Sequence, residues 1–211
     1  MNREEAIRII KAFAAGEMTA EEFWVKFKTG KTIRNILVKD EKKWEKKLAL
    51  ASPTQGTWSS SALGAYNMKI NFQSYRETDY LHWVVRKYIS RNHMPFKFGT
   101  FYTDRLVFLM DIQPSWLEIE DEDFLKELIS RIPADITTRK EKVKWCKNEL
   151  KKEFRYDRSP PRWIQFPEWP IVNGKPLVFK GQSKETIDNE QVDFYFYDPD
   201  TKEETTVTQY Y

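Results

Sequence analysis

A proline-rich segment at residues 159–170 constrains the fold of this chain more than any other feature. It holds four prolines in twelve positions. Proline lacks a backbone N–H and blocks the continuation of a helix, and it disfavours the interior of a sheet. Residues 159–170 are therefore expected to form an irregular arm between two differently built parts of the chain.

The part before the arm has the periodicity of amphipathic helices. Apolar residues recur three and four positions apart in successive stretches, which is the spacing of one helix face. Thr19 and Glu22 have the spacing of a capping box, and Thr78 with Asp79 is predicted to cap a later helix. We expect about six or seven helices over residues 1–157.

The part after the arm is typical of strands. Residues 177–179, 192–197 and 205–211 are rich in β-branched and aromatic residues, and the last two runs alternate. Asp198 and Pro199 suit a type I turn between them. The sequence thus predicts an α+β fold, with a helical N-terminal two-thirds packed on a small C-terminal antiparallel sheet of about three strands.

The change near residue 158 from a helical residue pattern to a proline-rich and strand-like one could mark a domain boundary. Three strands and a proline arm, however, would make a poor core by themselves. We therefore predict a single domain over residues 1–211, with residues 158–211 forming the arm and the strands. Residues 51–76 have loop composition and give no clear element.

The composition indicates a folded chain from a reducing compartment. Aromatic residues make up 15% of the sequence, and such a surface must be buried or bound. The single cysteine, Cys146, excludes an intramolecular disulfide and suits the cytoplasm. The sequence lacks an apolar run long enough to span a bilayer, so the prediction is a cytoplasmic protein without membrane association.

Motifs of catalysis are missing from the sequence. It contains no phosphate-binding glycine loop and no nucleophile elbow. His82 and His93 lie off the usual metal spacing, and Cys146 lies on the apolar stripe of a helix, where a thiol stays protonated. We predict no enzymatic activity, no cofactor and no metal.

A run of acidic residues at 118–123 has two interpretations. In the structural one, Asp121 or a neighbour caps the following helix and faces its positive dipole end. In the functional one, the negative patch steers and orients a basic partner. The predicted partner-binding residues are Trp116, as an aromatic anchor, and Glu118, Glu120, Asp121, Glu122 and Asp123.

A basic helix at residues 139–155 offers an alternative function. It carries eight lysines and arginines, and Trp145 could add stacking to nucleic acid bases. Glutamates are interleaved with these cations, which is ordinary surface patterning. Nucleic-acid binding through this helix is kept as the second hypothesis.

The C-terminal part resembles the YwqG-like family of bacterial cytosolic proteins. Residues 169–182 fit the pattern W-P-x-x-x-G-x-P-L-x-F-x-x-Q, and an aromatic strand ending at Tyr197-Asp198-Pro199 follows. The motif implies fold rather than function: Trp169 and Pro170 would wedge against the sheet, with Gly174 in a turn.

The whole chain also resembles bacterial immunity proteins encoded beside polymorphic or contact-dependent toxins. The likeness runs through residues 4–11, Glu22-Phe23-Trp24 and residues 111–117. An immunity protein binds its cognate toxin domain and inhibits it stoichiometrically in the cytoplasm. The resemblance implies that function here and carries over no particular residue, because the binding surfaces differ from pair to pair.

Overall fold

The α+β fold predicted from the sequence is confirmed. The computed structural model describes residues 1–51, 69–183 and 191–211. In these ranges seven helices precede a small antiparallel sheet. The helices are α1 (Arg3–Ala15), α2 (Ala20–Thr29), α3 (Lys31–Ala51), α4 (Tyr75–Arg91), α5 (Phe101–Asp111), α6 (Glu122–Ser130) and α7 (Arg139–Glu153). Most of the expected loop at 51–76 falls outside the described residues.

The chain forms two compact units, Met1–Leu106 and Val107–Tyr211. The division falls within α5 and not near residue 158, where the residue pattern changes from helical to proline-rich. Folding as one domain over residues 1–211 stays a prediction. Within the described ranges, no helix combines the length and the apolar character needed to cross a membrane.

The first unit is built around an aromatic core. Phe13 stacks on Phe23 with ring centroids 4.3 Å apart, and Phe23 stacks on Phe27 at 6.0 Å. These rings are fully buried with residues of α3, α4 and the start of α5. The apolar stripes predicted for the first helices thus meet in one core.

Capping residues set several of the helix ends. Thr19 and Glu22 form the predicted capping box at the start of α2. The predicted cap of α4 was wrong: Thr78 is buried inside the helix, and its hydroxyl donates to the carbonyl of Ser74 at 2.7 Å. The true N-cap is Ser74, whose hydroxyl accepts from the N–H of Glu77 at 3.1 Å. The helix therefore begins one turn earlier than expected.

His82 of α4 is fully buried in this core. Its ring meets Phe13 edge-on at 5.4 Å and Tyr102 at 5.2 Å. Its Nε2 lies 3.1 Å from the carbonyl oxygen of Ala14, an acceptor, so Nε2 carries the proton and donates. Nδ1 is then a bare acceptor, without a hydrogen-bond partner among the residues that the structure describes. The imidazole is a structural residue, as the sequence suggested.

We expect His82 to make the stability of the protein fall in mild acid. Burial lowers the pKa of His82, the hydrogen bond to Ala14 and the nearby Asp79 offset this in part, and Arg86 adds to it. The unfolded chain therefore binds a proton on His82 at a higher pH than the native state. The contribution of neutral His82 to the free energy of unfolding is fully present above the ordinary pKa of about 6.5. It is lost as the pH falls below that value, by at most about 1.4 kcal/mol per pH unit.

Urea unfolding between mildly acidic and neutral pH checks this expectation. His82→Phe keeps an aromatic ring but cannot titrate, so it should flatten the pH dependence. His93 is exposed and adopts a left-handed backbone with φ 51°, and His93→Asn, which tolerates that backbone, is the control that should keep the wild-type slope. An unchanged slope in His82→Phe would contradict the assignment.

The second unit contains a short antiparallel hairpin and a three-stranded antiparallel sheet. The hairpin pairs β1 (Ile171–Val172) with β2 (Lys175–Pro176), and Gly174 in its turn has φ 75°. The sheet consists of β3 (Val178–Gln182), β4 (Gln191–Tyr197) and β5 (Glu204–Tyr210). The hairpin was not predicted, whereas the three strands were.

Trp169 anchors the end of the proline arm, as the sequence motif suggested. Its indole N–H donates to the carbonyl of Leu177 at 2.9 Å. Its ring contacts Phe154 at 5.6 Å and Phe196 at 5.4 Å. The inner face of the sheet and the end of α7 therefore share one aromatic core.

Gln209 ties the middle of the arm to the sheet. Its side chain is 1% exposed. Its amide oxygen accepts from the N–H groups of Ile164 at 3.1 Å and Gln165 at 3.0 Å, and its amide nitrogen donates to the carbonyl of Phe166 at 2.7 Å. One buried side chain thereby satisfies three backbone groups of a segment that cannot join the sheet.

Candidate acidic groove

An open groove of about 650 Å³ lies on the second unit, beside the acidic run. One wall comes from the segment before α6 and the other from the proline arm. We call it the acidic groove. Its lining residues are Leu117, Glu118, Ile119, Glu120, Asp121, Phe154, Phe166, Pro167, Glu168, Trp169 and Ile171.

The charge of the acidic groove has one sign only. Four carboxylates line it, those of Glu118, Glu120, Asp121 and Glu168, and no described lysine or arginine does. All four residues are exposed. Within the described ranges, Glu118, Glu120 and Glu168 have no ion-pair partner. The groove therefore presents a negative field to a molecule that enters it.

Alternation along the chain explains why the carboxylates face outward. Leu117 and Ile119 are buried, at 4% and 5% exposure, whereas Glu118 and Glu120 between and after them are exposed. The backbone of this extended segment is held by Gln113, whose amide oxygen accepts from the N–H of Ile119 at 2.7 Å. Burial of the leucine and the isoleucine thus fixes the direction of the two glutamates.

Two large apolar side chains are exposed at the same groove. Phe166 is 79% exposed and Ile171 is 50% exposed, while Trp169 and Phe154 behind them are buried. Leaving a phenylalanine so exposed is unfavourable in isolation, and exposed apolar surface bordered by polar groups is typical of binding surfaces. The acidic groove therefore combines charge with apolar contact area.

The structure divides the predicted acidic set into two groups. Glu118, Glu120 and Asp121 line the groove. Glu122 and Asp123 instead lie 3.7 Å and 3.1 Å from the ammonium of Lys126 on α6. Their charge is offset locally, so the groove depends mainly on the first group and on Glu168, which the sequence interpretation had missed.

Asp121 also has the structural role predicted for the run. Its carboxylate accepts from the backbone N–H groups of Asp123 at 2.9 Å and Phe124 at 3.2 Å. It is therefore the N-cap of α6, where a negative charge meets the positive end of the helix dipole. Capping leaves Asp121 less free than the two glutamates to serve a partner.

Trp116 packs inside the unit rather than lining the groove. Its ring is half-buried, 5.3 Å from the ring of Trp169 and 5.8 Å from that of Tyr156. Its carbonyl accepts from the indole N–H of Trp163 at 2.9 Å. Trp116 supports the wall formed by Trp169, and direct contact with a partner stays a prediction.

The basic helix carries a stripe of lysines. Arg139 is paired with Asp111 at 2.7 Å and Lys152 with Glu149 at 2.5 Å. Four other lysines are spaced by four, three and four positions, which places them along one side of α7. No ion pair involves any of the four within the described part of the chain. They are Lys140, Lys144, Lys147 and Lys151, and we call them the lysine stripe.

The remaining reactive side chains do not form a site. Burial raises the pKa of the Cys146 thiol to about 11, so it is protonated at neutral pH and a poor nucleophile. His82 belongs to the first unit's core. Over the ranges that the structure describes, no three histidine, cysteine or carboxylate side chains are grouped so that they could hold a metal ion.

Comparison with known proteins returned no matching family model, no similar curated protein and no similar solved structure.

Proposed function

We propose that this protein is an immunity-type protein that binds and neutralises a cognate bacterial toxin domain in the cytoplasm. The observation that carries the proposal is the acidic groove, with four carboxylates on its walls and Phe166 exposed at its edge. The resemblance of the chain to immunity proteins gives the biological setting. Neither element of the proposal requires a catalytic group.

The charge of the groove indicates the chemistry of the partner. A surface of one sign attracts a surface of the other, and it disfavours partners of the same sign. Toxin domains that cleave nucleic acid hold phosphate with lysine and arginine, so their active sites are basic. Glu118, Glu120 and Glu168 could occupy the positions of phosphates on such a domain and block access of the substrate.

The apolar residues supply the affinity that charge alone does not. Interfaces depend on a few large side chains that are desolvated on binding, and exposed ion pairs contribute little. Phe166 and Ile171 are the large apolar side chains exposed on the groove. We infer that they contact the partner first and that the carboxylates around them fix its orientation.

Capture and protection experiments test this proposal. The product of the gene beside the one encoding this chain is the candidate partner. We expect the intact protein to capture its toxin domain in a one-to-one complex and to protect cells that express that domain. Absence of a complex together with absence of protection would contradict the proposal.

The lysine stripe favours a second candidate function, binding of nucleic acid. Lysines that lack a carboxylate partner can neutralise phosphates, and binding of this kind weakens steeply as salt is added. We expect a labelled oligonucleotide to bind at low salt and the affinity to fall after replacing the four lysines with glutamine. A flat titration of the unaltered protein at low salt would rule this function out.

A further inference from the structure

The outer edge of β5 lacks a neighbouring strand. The sheet order is β3-β4-β5, which leaves β3 and β5 at the two edges. The edge of β3 is covered, because Asp157 N–H donates to the carbonyl of Phe179 at 3.0 Å and Phe179 N–H donates to the carbonyl of Arg155 at 2.9 Å. No described residue covers Glu204–Thr208 in the same way.

The register shows which backbone groups of β5 point outward. The backbone groups of Asp193 point toward β3, since its carbonyl accepts from Ser183 N–H at 2.8 Å. The backbone groups of its neighbours in β4 therefore point toward β5. One of these neighbours, Phe194, pairs with Val207 of β5. Backbone groups alternate in direction along a strand, so those of Glu204, Thr206 and Thr208 point away from the sheet.

The Tyr210 end of β5 confirms that the backbone groups alternate in direction. It also limits the length of the strand edge that is free. The carbonyl of Tyr210 points outward, where it accepts from the side-chain amide of Gln165 at 2.6 Å. The proline arm thus occupies the edge at Tyr210. The free segment runs over residues 204–208, and Thr206 is its midpoint.

Features that usually protect an edge strand are missing from this segment. Natural edges are defended by lysine, proline or bulges, and residues 204–210 contain neither lysine nor proline. β4 and β5 pair in regular register along their whole length. Glu204 is the one charged residue of the strand, and its carboxylate is paired with the ammonium of Lys180.

We propose that a second copy of this chain pairs antiparallel with β5 around a two-fold axis at Thr206. In this register Thr206 lies opposite its own counterpart, and Glu204 lies opposite Thr208 of the other copy. Each of these pairs exchanges both backbone hydrogen bonds, because all three residues have outward-pointing groups. The two sheets become one of six strands.

The symmetry of the free segment favours a second copy as the occupant. A two-fold interface must be self-complementary, and here the three outward residues are evenly spaced about Thr206. No like charges meet, since Glu204 faces a neutral threonine and is already paired with Lys180. The contact is much smaller than a standard interface of about 1,600 Å², so we expect dissociation in the micromolar range or weaker.

Two charge insertions on the same edge test the register. In Thr206→Lys, lysines of the two copies lie directly opposite each other, and the dissociation constant should rise at least tenfold. In Thr208→Lys, the added charge lies between Asp193 of its own chain, to which the Thr208 hydroxyl donates at 2.7 Å, and Glu204 of the other copy, so the dimer should be retained. Both side chains lie on the exposed outer face, and circular dichroism would verify that each variant folds.

Sedimentation velocity of the full chain from micromolar to millimolar concentration is the measurement. The expected result is a species of twice the 25.3 kDa chain mass that Thr206→Lys alone removes. A monomer at every concentration would overturn the proposal, and so would equal effects of the two substitutions. The result is independent of toxin binding, because no partner is added.

Discussion

Replacing both Glu118 and Glu120 by lysine is expected to weaken binding of the cognate toxin domain at least a hundredfold at low ionic strength. The two carboxylates line the acidic groove on a segment whose neighbouring residues Leu117 and Ile119 are buried, so its backbone keeps them beside a bound partner. Reversal removes two attractions and adds two repulsions against a basic surface. Unlike ion pairs that stay exposed, close charge pairs that a partner encloses in an interface have large measured coupling energies.

Isothermal titration calorimetry with the toxin domain captured from the neighbouring gene product measures this loss. Glu127 and Asp135 lie in the same unit, are exposed and do not line the groove. The double substitution of these two residues by lysine changes the net charge by the same amount. It should reduce affinity only slightly, through long-range attraction that salt screens.

The comparison of the two double variants decides where the partner binds. If both lose affinity equally, general attraction explains the effect and the acidic groove is not the site. If Glu122→Lys with Asp123→Lys has the larger effect, the partner lies over α6 instead. We do not expect a partner over α6, because Lys126 already offsets the charges of Glu122 and Asp123.

Local sequence signals predicted the elements well, because helix ends and strands depend on nearby residues. The capping box of Thr19 and Glu22 and the strand β4, predicted to start at Val192 and starting at Gln191, were both recoverable in this way. The missed cap of α4 had a signal too: Ser74 and Glu77 have capping-box spacing. The loop composition of residues 51–76 masks this signal, because it predicts no helix start before Glu77.

The candidate site was only half predictable, because its two walls are distant in sequence. The acidic run from Glu118 stands out by composition alone. Nothing near it indicates that Phe166, Glu168 and Ile171 lie across the groove, some fifty residues later. That placement depends on long-range contacts of Trp169 and Gln209, which no periodicity or spacing encodes.

The hydrogen bonds of Gln209 connect the sheet to the arm segment that carries Phe166 of the acidic groove. The substitution Gln209→Leu is expected to lower the free energy of unfolding by about 3 kcal/mol or more. Leucine fills similar space but leaves the N–H groups of Ile164 and Gln165 and the carbonyl of Phe166 without partners. The three hydrogen bonds are part-buried, so each group left unpaired costs about 1 kcal/mol, the low end of the range for buried groups. Urea unfolding followed by tryptophan fluorescence measures the change.

Gln165→Leu is the matched control, since it makes the same substitution at an exposed residue whose amide reaches the carbonyl of Tyr210. It should cost less than about 1 kcal/mol, because water can replace that hydrogen bond. Gln209→Leu should also weaken toxin binding more than Gln165→Leu does, because it removes three of the hydrogen bonds that hold the arm carrying Phe166 and Gln165→Leu removes one. Equal stability of the two variants would show that the buried amide does not hold the arm.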